Sequence, residues 1–149
     1  MAAKATELFP DNQKLFLLDG MALTYRAHFA LVRSPRFTSG GLCTSAVFGI
    51  ANTVLDILKR EEPTHISVAF DTSEPTQRHI DFPEYKAQRD AMPEDIATQL
   101  PYIDRLLDAL NIHVIRRPGY EADDVIGTLA HQASKEGFRI WMVTPDKDY

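Results

Sequence analysis

The octapeptide YEADDVIG, residues 120–127, sets three carboxylates, Glu121, Asp123 and Asp124, directly ahead of an apolar run. Unpaired N–H groups and the macrodipole make a helix start attractive to negative charge, which accounts for one or two of them. A third exceeds what capping requires. Carboxylates held together repel one another unless positive charge sits among them, and a divalent cation is a natural counter-charge. More acids follow the same logic: KLFLLD ends in Asp19, HISVAFD in Asp71, and FRIWMVT is followed by Pro145-Asp146-Lys147-Asp148. Alone, each aspartate is explained as the cap of a turn or of the next helix. Together they would concentrate like charge without benefit, unless hard cations bind there through oxygen ligands.

An all-carboxylate, histidine-free ligand set favours magnesium or manganese over zinc. Two magnesium ions roughly 3.5 to 4 Å apart suit phosphodiester hydrolysis, because they can activate a water, orient it in line and stabilise the leaving oxygen. Basic residues complete such a design. Arg78, Lys86 and Arg89 fall in the irregular stretch after Asp71 and can reach a phosphate held over the metals, although a solvated basic loop is the plainer use. Tyr25, six residues past Asp19, can stack on a base or pack in the core. Other chemistries lack their residues. The histidines form no spaced ligand set, with His65 and His113 in expected strands and His131 on an expected helix, Gly40-Gly41 lacks the lysine of a phosphate loop, and no serine nucleophile elbow occurs. Cys43 reads as a small helix residue rather than a nucleophile.

These residues need a frame, and the apolar pattern predicts one. KLFLLD (14 to 19) is a run of buried-strand length, followed by a helix to about Leu31 and a loop, RSPRFTSGG. From Thr44 to about Glu61 the residues Val47, Ile50, Ala51, Val54, Leu55 and Leu58 recur at a 3.6-residue period, which predicts a long amphipathic helix closed by Pro63. HISVAFD (65 to 71) is a second strand, and the stretch after it is too polar and proline-punctuated for core. A helix is expected from Pro93 to about Asn111, bent at Pro101, then a strand at 112 to 115. The acidic helix follows, stopping at Gly137, and FRIWMVT (138 to 144) is the fourth strand. Strands alternating with helices give an α/β fold whose parallel central sheet is covered on both faces, and ligands of such sheets bind beyond the carboxyl ends of the strands. Seven carboxylates are thereby expected on one edge.

With 149 residues, 44% hydrophobic and 25% charged, the sequence has the make-up of one globular domain, preceded by a lead-in over residues 1 to 13. The net charge of −5 argues against a nucleic-acid partner only superficially, since Arg26, Arg33 and Arg36 form one basic stretch and Arg78, Lys86 and Arg89 another. A lone cysteine excludes an internal disulfide and a multi-cysteine zinc site. No segment reaches the roughly 18 apolar residues of a membrane span, and no signal-peptide core opens the chain, so a cytoplasmic location with no membrane partner is expected.

In order and spacing, LLDGMALTYRAHFAL, AFDTSEPTQRH, YKAQRDAMPEDI, PGYEADDVIGTLA and VTPDKD closely resemble the N-terminal 5′→3′ exonuclease (flap endonuclease) domain of bacterial DNA polymerases I. The likeness runs from about Lys14 to Tyr149, and five motifs together are far more specific than any one. It implies a PIN-like fold over 14–149, with metal ligands at Asp19, Asp71, Glu121, Asp123, Asp124, Asp146 and Asp148. It further implies two Mg2+ ions, with Mn2+ as a substitute. Arg78 and Lys86 match the phosphate-steering residues of a helical arch and Tyr25 a base-stacking tyrosine, with Arg26 beside it and Arg89 further along the arch. The implied activity is release of nucleotides or short flaps from DNA 5′ ends during primer removal and repair. The family continues past VTPDKD with a further metal-site aspartate, a helix-hairpin-helix and the polymerase, so this sequence reads as a piece of a longer protein. Two other classes remain in view. A phosphotransferase with an aspartate nucleophile would need a second aspartate two residues after the first, where Met21 stands, and a noncatalytic DNA-binding module would keep the fold without turnover.

Overall fold

The computed structural model describes residues 13–87 and 89–145; the lead-in and the Asp146 to Asp148 motif lie outside the described residues, Gln13 excepted. Strand β1 (Lys14–Asp19) runs without a gap into helix α1 (Gly20–Ala30), whose N-cap is Asp19. Helix α2 (Ser45–Arg60) buries Ala46, Ile50 and Val54 along one stripe and ends ahead of Pro63, while Leu55 of the expected stripe is exposed. Strand β2 (His65–Phe70) stops one residue before Asp71. Then come α3 (Gln77–Asp81), α4 (Glu94–Ala97), α5 (Leu100–Ala109), β3 (His113–Arg116), α6 (Ala122–Lys135) and β4 (Arg139–Val143).

Four local expectations are corrected. The single helix expected over 93 to 111 is two, because Pro101 has no N–H to give and its ring would strike the carbonyl of Ala97, so α4 closes at that residue and α5 restarts after a turn. Pro93 is the cap of α4 in an extended conformation rather than its first helical residue. Cys43 is not helical: it forms an isolated antiparallel bridge with Phe37 ahead of α2 and is buried there. The polar stretch after β2 contains a real helical turn, α3, stabilised by a capping box between Thr76 and His79.

The break before α5 has a packing consequence. Gln99 sits in the gap, fully buried, where its Oε1 accepts the N–H groups of Ala46 and Val47 at 2.8 and 3.2 Å and its Nε2 donates to the Asp95 carbonyl at 2.6 Å. Thr44 makes no side-chain cap of its own, so the orphan donors at the start of α2 are satisfied from a distant segment.

All strands are parallel, in the order β3-β2-β1-β4. Successive side chains of a strand face opposite ways. Phe16, Leu18, Val68 and Phe70 accordingly share one core with Leu23, Ala46, Ile50, Val54, Ile103 and Leu107 of α1, α2 and α5. Leu17 and Ala69 share the other with Ala122 and Ile126 of α6. Both faces are covered, as expected of a parallel sheet. Phe16 and Trp141 stack across β1 and β4 with centroids 4.9 Å apart. Close approach elsewhere depends on missing side chains: a Cβ on Gly49 would lie 2.4 Å from the Cβ of Ala27, and one on Gly20 would lie 2.5 Å from the Phe70 ring. Among the described residues, no helix is long and apolar enough to cross a membrane.

Candidate active site

The strand period that builds the cores also aims the acids. Asp19 is in phase with Leu17, and Asp71 with Ala69, so both carboxylates leave the sheet on the α6 side at its carboxyl edge, with Asp19 paired in register to Ala69. Helix α6 starts at that edge. Glu121 is its N-cap, and a capping box joins the Glu121 side chain to the Asp124 backbone and the Asp124 side chain to the Glu121 backbone. The Ala122 N–H donates to Asp71 Oδ1 at 2.7 Å, tying the end of β2 to the start of α6. Asp19 Oδ1 accepts from the Ala22 N–H at 3.0 Å. The plain reading of both aspartates as helix caps therefore holds, and it holds at the same place where the acids gather.

Burial and crowding leave their mark on Asp19, which is only 6% exposed. Its carboxyl is pushed up to about 6, first by loss of solvent and further by the negative charges of Asp123 and Asp71 and a hydrogen bond with Asp123; the Ala22 N–H pulls the other way. Among the described residues, no basic side chain is bonded to Asp19 to offset that crowding.

On the other side, cations arrive from α3 and the turn after it. Arg78 spans two carboxylates, Nη1 donating to Glu121 Oε2 at 3.0 Å and Nη2 to Asp124 Oδ1 at 2.8 Å. Lys86 Nζ donates to Glu121 Oε1 at 2.6 Å. Tyr85 adds a hydroxyl donor 3.4 Å from Glu121 Oε2, its ring lies under the Lys86 ammonium at 5.0 Å, and His79 packs edge-on against it at 5.5 Å. Burial alone would raise the Glu121 carboxyl, but Lys86 and Arg78 hold it below its usual range. Tyr85, with the Thr76–His79 box that supports its partner, is a site residue that reading the sequence missed; its only signal was its place directly before Lys86.

Tyr25, Arg26 and Arg89 make other contacts. Tyr25 is half-buried on α1, its ring 6.2 Å from Phe29. Arg26 is exposed and borders a groove of about 790 Å³ between α1, α2 and β4. Arg89 is exposed, with its N–H on the Lys86 carbonyl at 3.1 Å. Asp146 and Asp148 lie outside the described residues. Among the described residues no three acids close around one point at ligand distance. Arg78 and Lys86 take up oxygens of Glu121 and Asp124 there. The donor set still fits a hard divalent ion: every acid offers carboxylate oxygen, and the buried Asp19 is electrostatically frustrated.

Comparison with known proteins bears on the family and the fold. The family model described as 5′-3′ exonuclease, N-terminal resolvase-like domain, matches residues 14–149. The DNA polymerase I of Mycobacterium bovis is 47% identical over 150 residues; the match takes in 99% of this chain but 17% of that one, so the chain spans about a sixth of the length of this relative. Among solved structures, phage T5 5′-exonuclease with bound divalent metal ions (zinc) aligns with a TM-score of 0.63 at 18% identity, over 91% of this chain and 50% of that one. A phage T5 flap endonuclease in a pseudo-enzyme-product complex with DNA and metal ions aligns with a TM-score of 0.60, also at 18% identity and with the same coverage. At such identity the structural likeness concerns the fold, a PIN-like parallel sheet.

Proposed function

This chain belongs to the 5′-3′ exonuclease family as its N-terminal resolvase-like domain, and from that membership we propose that it hydrolyses DNA phosphodiesters at 5′ ends and 5′ flaps, in primer removal and repair, with two Mg2+ ions or Mn2+ in their place. The reading is supported above all by the meeting of Asp19, Asp71 and the α6 acids at the carboxyl edge of the sheet, opposite the basic turn. Asp19, Asp71, Glu121, Asp123 and Asp124 would hold the ions, joined by Asp146 and Asp148. When bound, such ions supply Lewis acidity for in-line displacement at phosphorus.

The chain's own residues divide the rest. Arg78 and Lys86 present donors suited to phosphate oxygens, and the planar guanidinium can grip two at once. Tyr25 offers a ring for a terminal base, and Arg26 and Arg89 offer charge to the flanking backbone. Carboxylates close to the scissile phosphate would repel it, so the cluster must be neutralised before DNA can settle there. In a longer chain the partner would be the rest of a polymerase, and the location cytoplasmic.

Cleavage of a 5′-flap DNA in magnesium, by this chain and by a longer one carrying the region that follows in the relatives, tests the proposal. Product from either chain that vanishes with Asp71→Asn supports it. Binding of the flap without cutting by both chains would favour the noncatalytic DNA-binding reading instead.

A further inference from the structure

The acid cluster is split into two unequal halves. Asp19, Asp71 and Asp123 face one another, and among the described residues no basic side chain is bonded to Asp19 or Asp71. Glu121 and Asp124 are engaged: both oxygens of Glu121 carry donors from Lys86, Arg78 and Tyr85, and the two oxygens of Asp124 take Arg78 and the Glu121 N–H. A cation bound at Glu121 would compete with the ammonium of Lys86 and the guanidinium of Arg78 for the same oxygens. The same two basic residues are the ones suited to phosphate, and they cannot serve both anions at once.

We propose that Arg78 and Lys86 form a latch on Glu121 and Asp124, which a divalent ion opens, so that entry of the ion into the acid cluster is what frees the two cations to bind phosphate. The proposal rests on the metal-site reading above. Backbone conformation supports it independently. Lys86 has φ of +60°, a left-handed conformation uncommon for a side chain with a Cβ, in the same turn that brings its ammonium to 2.6 Å from Glu121. Competition of this kind is reciprocal: whatever the pairs contribute to the closed turn is subtracted from ion affinity.

Titration calorimetry of the DNA-free chain with Mn2+ alone tests the latch, without reference to turnover. Arg78→Ala and Lys86→Ala should each bind Mn2+ more tightly, by about fivefold or more, whereas Arg89→Ala, which removes a neighbouring charge that touches no acid of the cluster, should change affinity less than about twofold. In the unaltered chain, Mn2+ should also speed hydrogen exchange at the Tyr85 and Ala87 amides, because the turn they belong to loses its anchor. Binding to the unaltered chain with equal affinity in all three variants would overturn the latch and leave the metal site standing. Slower exchange at those amides on adding Mn2+ would overturn it as well. No binding by any of the four proteins would remove the metal site and the latch together.

Discussion

Asp71, the first residue beyond β2, accepts the N–H of Ala122, the first residue of α6, at 2.7 Å. One carboxylate thus performs two separable tasks, closing a helix start and contributing charge to the cluster. An amide oxygen can do the first and not the second. Asp71→Asn should keep the melting temperature nearly unchanged while abolishing flap cleavage, and Asp71→Ala should lower stability by a further ~1 kcal/mol. Thermal unfolding alongside a cleavage assay separates the two, and full turnover in Asp71→Asn would remove this residue from the chemistry.

Asp19 makes stability depend on pH in an unusual direction. Its carboxyl rises from 3.8 to about 6 on folding, so the folded state holds the proton more tightly; the stabilisation is complete below about 3.8 and is lost as pH climbs through about 6. Asn caps a helix as well as Asp does and carries no charge. Without divalent ions, Asp19→Asn should therefore gain on the unaltered chain as pH rises from about 4 to about 7, by on the order of 3 kcal/mol. Glu121, lowered by Lys86 and Arg78, contributes with the opposite sign, but equally in both proteins, so it cancels in the difference. Urea unfolding across that range checks it. A pH-independent difference would contradict the account of Asp19.

Lys86→Ala should lower flap turnover by about 10- to 100-fold while leaving the melting temperature almost unaltered, since the side chain is bonded at the rim of the fold rather than in a core. A fall in melting temperature with no specific loss of rate would mark the residue as structural.

Gln99→Ala removes the partner of two N–H groups at the start of α2 and should destabilise by roughly 2 to 3 kcal/mol, measured by denaturant unfolding. Gly20→Ala should cost a similar ~1 to 3 kcal/mol, because the new Cβ would press on the Phe70 ring within a packed core. Gly119→Ala, where a Cβ meets no neighbour, separates backbone strain at φ of +82° from crowding.

The sequence carried the frame of this molecule because the strands are short apolar runs, β1 and β2 leading straight into aspartates, and α2 and α6 keep a helical period. The edge on which Asp19, Asp71, Glu121 and Asp124 assemble follows from that alternation alone. What it could not carry are contacts between segments far apart. Gln99 looks like one polar residue among many until the chain folds and places it under α2. The grip of Arg78 and Lys86 on Glu121 joins residues 43 and 35 positions apart, and local pattern has no access to such pairs. The helix over 93 to 111 was misjudged because its apolar period continues across a break that a single proline imposes.

The chain moves outward from β1 to β2 to β3 with its helices on one face, then returns under the sheet through α6, which touches β2, β1 and β4 in crossing to the far side. The winding direction reverses between β1 and β4, and open parallel sheets receive their ligands at such a reversal, whatever side chains line it. On the proposed nuclease reading, neutralising the acids one by one should therefore disarm the protein while keeping the frame that receives a DNA end.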